Sequence, residues 1–166
     1  MLLTPRIVAA DRAAGRSAYI GEGINRWPAV HRFDAGRLVR LGVEGAPAGS
    51  VLHAVGEQGV AIRDVAEAIG RGLDLPVTSI TAEQAQAHFG FLAGFLALDM
   101  PASNAFTREL LSWEPSGPGL VADLEQGHYF AARQPERPHG TTARRPRVRA
   151  PWLTRQPAVF LIGVAC

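Results

Sequence analysis

A chain of 166 residues has room for one domain with its own core and not for a second. All 17 of its cationic side chains are arginine, and its one cysteine is residue 166. A phosphate-loop lysine, a Schiff-base lysine, a Tyr-x-x-x-Lys pair, an internal disulfide and a thiolate metal cluster are therefore excluded from this sequence. The net charge of +2 hides a split: residues 131–166 set seven arginines against Glu136 alone, whereas residues 1–130 carry ten arginines and fourteen acids. The longest apolar stretch, residues 158–166, falls well short of the roughly 20 residues that cross a bilayer. Arg6, Asp11 and Arg12 interrupt the first fifteen residues, which removes the apolar core of a secretion signal, and the expectation is a cytoplasmic protein.

In chain order, Leu3, Ile7, Val8 and Ala10 repeat at helical spacing and predict a helix over residues 2–14, with Pro5 tolerated near its start and Gly15 as its stop. Residues 17–20 read as a strand running into a Gly21-Glu22-Gly23 turn, and 30–33 as a second extended piece. Asp34 is placed to cap a helix over 35–44 that turns Leu38, Val39 and Leu41 inward. After a break at 45–50, residues 51–55 predict a strand. A helix over 63–73 follows, with Val65, Ala66 and Ile69 as its buried stripe. Residues 76–80 are rich in β-formers, and Thr81 with Gln84 forms the capping box of a helix through His88. Continued buried helix is expected over 89–98, then a turn at Asp99-Met100-Pro101. A helix capped by Ser103 or Asn104 then ends at Leu111, and a last helix covers 119–129 with Leu120, Val121 and Leu124 on one side.

Short strands alternating with helices predict an α/β fold over residues 1–130. Residues 131–166, with five prolines and seven arginines, predict a disordered tail, since so little apolar surface cannot offset the entropy of ordering. That tail could bind nucleic acid through phosphate contacts, but Trp152 and Phe160 are not woven through the arginines, which argues against it.

Four segments then fall in a telling order. They are Gly21-Glu22-Gly23 with Arg26-Trp27-Pro28-Ala29-Val30-His31-Arg32-Phe33-Asp34; Gly49-Ser50-Val51-Leu52-His53-Ala54-Val55-Gly56; the helix start from Val60; and Leu110-Leu111-Ser112-Trp113-Glu114-Pro115. Together they resemble the C-terminal, substrate-binding region of the extended short-chain dehydrogenase/reductase superfamily, the NAD-dependent epimerase and dehydratase group. The resemblance covers residues 2–130. It implies a partial α/β fold, the substrate-side portion of an NAD(P)-dependent oxidoreductase or epimerase that acts on an alcohol, ketone or sugar-like substrate. It also implies that catalysis and cofactor binding lie elsewhere: Tyr19 and Tyr129 are followed four residues on by Gly23 and Arg133. NAD(P) is thus implied for the family and not expected to bind this chain alone, and a nucleotide-binding half or a second copy is the expected partner.

The resemblance places Arg26, Trp27 and His31 against a small-molecule substrate. Arg26 and His31 would offer charge and hydrogen bonds, and Trp27 a flat apolar face. Each has a plainer reading. Arg26 and Trp27 serve equally as loop residues, and His31 between Val30 and Phe33 fits a partly buried structural histidine better than a catalytic one. A metal at His31 and Asp34 lacks further ligands. Where nucleotide-sugar enzymes have an arginine four residues before the histidine, this chain has Trp27, and His53 replaces the family's asparagine; both weigh against a nucleotide-sugar substrate. The rival to a separated half is a non-catalytic module that pairs with another chain through an exposed sheet edge.

Overall fold

The computed structural model describes residues 3–131 and the backbone of a short strand at 160–162. Helix α1, Thr4–Ala14, has Pro5 in its first turn and ends on Gly15 at φ 66°, a left-handed cap that glycine adopts without strain. Strand β1, Ser17–Ile20, follows at once. Much later β5, Val77–Ile80, lies beside it in parallel, with Ser17 opposite Val77 and Ile20 opposite Ile80. Between them come β2 (Arg26–Ala29), α2 (Arg32–Gly45), β3 (Val51–His53), β4 (Glu57–Ala61) and α3 (Ile62–Leu73). After β5 come α4 (Ala82–Phe89), a 3-10 turn at Gly90–Leu92, α5 (Ala93–Leu96), α6 (Ala105–Leu111) and α7 (Leu120–Glu125). The fold is the expected mixed α/β arrangement of short strands among helices. Each sheet holds two of the described strands, β1 with β5, β2 with β4, and β3 with β6 (Phe160–Ile162).

The main core forms where α1, α3 and α4 close on β1 and β5. Ile7, Val8, Val65, Ile69, Ile80, Phe89, Leu92 and Leu96 are all buried there. Helix α3 turns Val65, Ala66 and Ile69 inward as its periodicity predicts, and Thr81 and Gln84 form the complete capping box that starts α4. A second cluster joins Val30, Leu38, Ala54 and Trp113, whose indole nitrogen donates to the Asp34 carbonyl at 3.2 Å. Trp113 is 1% exposed and anchors the chain after α6.

Four expectations need correction. Residues 30–33 are not a strand: the extended segment is β2, and α2 starts at Arg32 with His31 in the capping position. Asp34 therefore does not cap α2. It lies inside the first turn, one step in the buried row Asp34, Leu38, Gly42, while Val39 faces outward at 45% exposure. Strand β4 escapes a pattern search because only Val60 in it is buried. It exists by pairing antiparallel with β2, and the register shifts between Trp27 and Ala29, where Pro28 has no N–H to give the ladder. The expected buried helix over 89–98 is broken into two short turns, and its Phe91 and Phe95 point outward. The expectation of disorder in the tail falls on residues 132–159 and 163–166, outside the described residues, while 160–162 pairs in parallel with β3.

Candidate functional site

Strand β2 delivers the three residues singled out by sequence, and the structure sends them to different surroundings. The Arg26 guanidinium grips Asp99 through Nε (3.2 Å) and Nη2 (3.0 Å), and its backbone N–H donates to the same carboxylate at 2.7 Å. Side-chain bonds from Arg26 hold the Asp99 carboxyl below its usual range, and Asp99 in turn raises Arg26. Both side chains are half exposed. Trp27 is 5% exposed, with Nε1 donating to the Leu98 carbonyl at 3.1 Å. It borders a small apolar cavity of about 30 Å³ along with Leu3, Ile7 and Ile62, so its ring packs against side chains of this chain.

His31 turns the other way, into a cradle built from the ends of β2 and β4 and the loop before α7. Its Nε2 is 3.9 Å from Asp123 Oδ1, longer than a hydrogen bond, and its Nδ1 is buried without a partner. Asp123, 4% exposed, accepts from the Tyr129 hydroxyl at 2.8 Å and has His128 Nε2 at 3.8 Å. A cavity of about 90 Å³ opens beside His31, Asp34, Glu57 and Gly117. Both of these carboxylates are committed to the loop. Asp34 accepts the Ser116 and Gly117 amides, the latter at 2.7 Å, and Glu57 accepts the Leu120 amide at 2.6 Å. Gly117 lies so close to the imidazole that a Cβ there would stand 2.7 Å from the ring. The cradle has room for a few water molecules or a small polar group, well below the 300 Å³ or more of an ordinary ligand pocket.

Arg26, Trp27 and His31 are thus not gathered around one cavity. Among the described residues no group of three or more His, Cys, Asp or Glu could hold a metal ion. The glycine segments of this chain do not have the strand-to-helix setting of a dinucleotide turn. The Gly21 and Gly23 turn, with both residues at positive φ, leads from β1 into β2 and not to a helix N-terminus, and Gly42, Gly45 and Gly49 sit at and beyond the end of α2. A wider depression of about 310 Å³ beside Gly72 and Phe130 has its Arg71 paired to Glu125 at 2.9 Å.

A further polar cluster was not read from the sequence. Asp11, on α1 and fully buried, has the Ser17 hydroxyl at 2.7 Å and His88 Nε2 at 2.7 Å. The Ala18 backbone amide also favours its charged form. Burial raises the Asp11 carboxyl above its usual range, and the bonds from His88, Ser17 and Ala18 only partly offset this. Since Ser17 and Gly21 donate their N–H groups towards β5, Ala18 points to the opposite edge of β1. The available signal was Asp11 falling on the inward row with Ile7, an acid in an apolar position.

No family model matches the chain. An uncharacterized protein of Schizosaccharomyces pombe is 46% identical over 126 residues, which is 76% of this chain and 43% of that protein. An uncharacterized protein of Saccharomyces cerevisiae is 44% identical over 124 residues, 75% of this chain and 42% of that protein. The chain therefore spans less than half the length of these relatives. Among solved structures, dTDP-glucose 4,6-dehydratase from Bacillus anthracis in complex with NAD superposes with a TM-score of 0.55 at 16% identity, over 75% of this chain and 37% of that one. The likeness is one of fold. Pal from Bacillus thuringiensis gives a TM-score of 0.53 at 18% identity over 75% of this chain and 38% of that one. About three quarters of this chain thus shares its fold with part of each of these two structures. No helix among the described residues is long and apolar enough to cross a membrane.

Proposed function

We propose that this chain supplies the substrate-side portion of an NAD(P)-dependent reductase or epimerase-like enzyme, and that a separate nucleotide-binding portion carries the cofactor and the catalytic tyrosine. The observation that carries this reading is partial overlap on two fronts. The fold coincides with 37% of an NAD-bound dehydratase, and the sequence coincides with 43% of a longer relative. In this reading the chain binds and orients an alcohol, ketone or sugar-like substrate, with Arg26 as an anion or hydroxyl contact on one side of β2 and His31 as a hydrogen-bonding group in its separate cradle. Arg26 stays available because its bond to Asp99 is solvent-exposed and cheap to exchange. Trp27 contributes by fixing the β2 backbone between them, not by stacking on the substrate.

The test is a pair of titrations. The chain alone should give no saturable change in NADPH or NADH fluorescence. A chimera of the Schizosaccharomyces pombe relative, with its matching stretch replaced by residues 3–131, should bind one equivalent. Stoichiometric binding by the chain alone, or a folded chimera that binds neither nucleotide, overturns the proposal. A second reading, a self-standing interaction module that pairs with another chain through an exposed sheet edge, draws support from the sheets, each of which holds two of the described strands. It predicts a monomer with one sharp melting transition and no complex with the unmatched stretch of the relative.

A further inference from the structure

The segment from 90 to 100 does two things at once. Its inward side is tightly packed, with Leu92 at 3%, Ala93 at 7% and Leu96 at 1% exposure. On the outward side Phe91 is 60% exposed, with the Arg6 guanidinium 5.4 Å from its ring centre, and Phe95 is 53% exposed; Leu98 follows at 48%. The turn at 21–25 is stitched to this segment. Asn25 Nδ2 donates to the Leu96 carbonyl at 2.7 Å and to that of Leu98 at 3.1 Å, and the Met100 amide donates to the Arg26 carbonyl at 2.8 Å. Ile24, 71% exposed, stands on that turn. The backbone beneath these side chains is therefore held from several directions, and the aromatics face outward because the opposite side is already filled. Single exposed apolar residues are ordinary, but a held face carrying two phenylalanines beside Ile24 and Leu98 marks a surface made to be covered.

The length of the relatives supplies a candidate to cover it. More than half of each lies beyond the stretch this chain matches, enough for another domain. We propose that Ile24, Phe91, Phe95 and Leu98 form the docking surface for the nucleotide-binding portion that the longer relatives carry. The inference rests on the function proposed above. It places that partner against the turn at Gly21 and Gly23, a few residues ahead of Arg26.

The experiment coproduces this chain with the stretch of the Schizosaccharomyces pombe relative that it does not match, and measures association by calorimetry and light scattering. The expected result is a one-to-one complex. Phe91→Asp with Phe95→Asp should weaken it by roughly 100-fold or more. Val43→Asp, at a 61% exposed site on α2, should leave it unchanged. Ile24→Asp and Leu98→Asp, made separately, repeat the test should the double variant melt early. A complex indifferent to all four substitutions overturns the docking surface and leaves the functional reading standing. Absence of any complex with the unaltered chain overturns that reading as well.

Discussion

Two regions of similar length handle exposed backbone and apolar weight in opposite ways. Around residues 115–120 there is little to bury, and the chain is fixed by carboxylates: Asp34 and Glu57 take the loop amides, and Gly117 presses on His31. Around residues 90–98 there is more apolar surface than one side of a short helix can hide, so Leu92 and Leu96 are packed while Phe91 and Phe95 are left outside. The first region spends charged side chains on backbone amides, whereas the second leaves Phe95 and most of Phe91 exposed, with only the Arg6 guanidinium over the Phe91 ring.

The sharpest way to break the contrast is a pair of neighbouring truncations. Phe89→Ala, at a 6% exposed site, should cost about 3–5 kcal/mol by denaturant unfolding, and Phe91→Ala two residues on should stay within about 0.5 kcal/mol. Similar costs at both sites would mean that the face is not open. Gly117→Ala should cost about 1–3 kcal/mol, because its Cβ meets the imidazole, while Gly94→Ala, with nothing within 4 Å, should be neutral or slightly stabilising.

A smaller effect concerns pH. The Asp11 carboxyl is raised by burial, so the folded protein binds a proton more readily there than the unfolded chain does. This group's contribution to stability is then greatest in acid and falls as pH rises through its folded-state value. Asp11→Asn removes that slope, and stability curves measured between about pH 4 and 7 should diverge from wild type. Parallel curves would show that Asp11 titrates as an ordinary carboxylate. The smallest effect is Arg26→Ala: the melting temperature should hardly move, and the Asp99 carboxyl, followed by NMR, should return upward towards its usual range once its partner is gone.

Local rules carried much of the fold. Gly15, the Thr81 and Gln84 box and the stripe of α3 could be read because each depends on residues within one turn of one another. Strand β4 could not, because its evidence is the partner strand β2 thirty residues earlier and not its own pattern. Asp34 looked like a cap because acids before an apolar run often are; its carboxylate instead serves a loop some eighty residues away, which no local spacing reports. The candidate residues were found on the right strand, but their separation into a surface ion pair, a packed indole and a cradle depends on where residues 96–100 and 115–120 come to lie. The exposed face at Phe91 was hidden by the same limit, since periodicity shows that a helix has two sides and not which of them finds company.

The carboxylate at the rim of β1 also bears on self-association. Chains usually guard an open strand from stacking into fibres with outward lysines, and this sequence has none. Asp11 lies buried at that end of β1 against the Ser17 hydroxyl and His88, so a second copy reaching it meets an acid already engaged by this chain's own side chains.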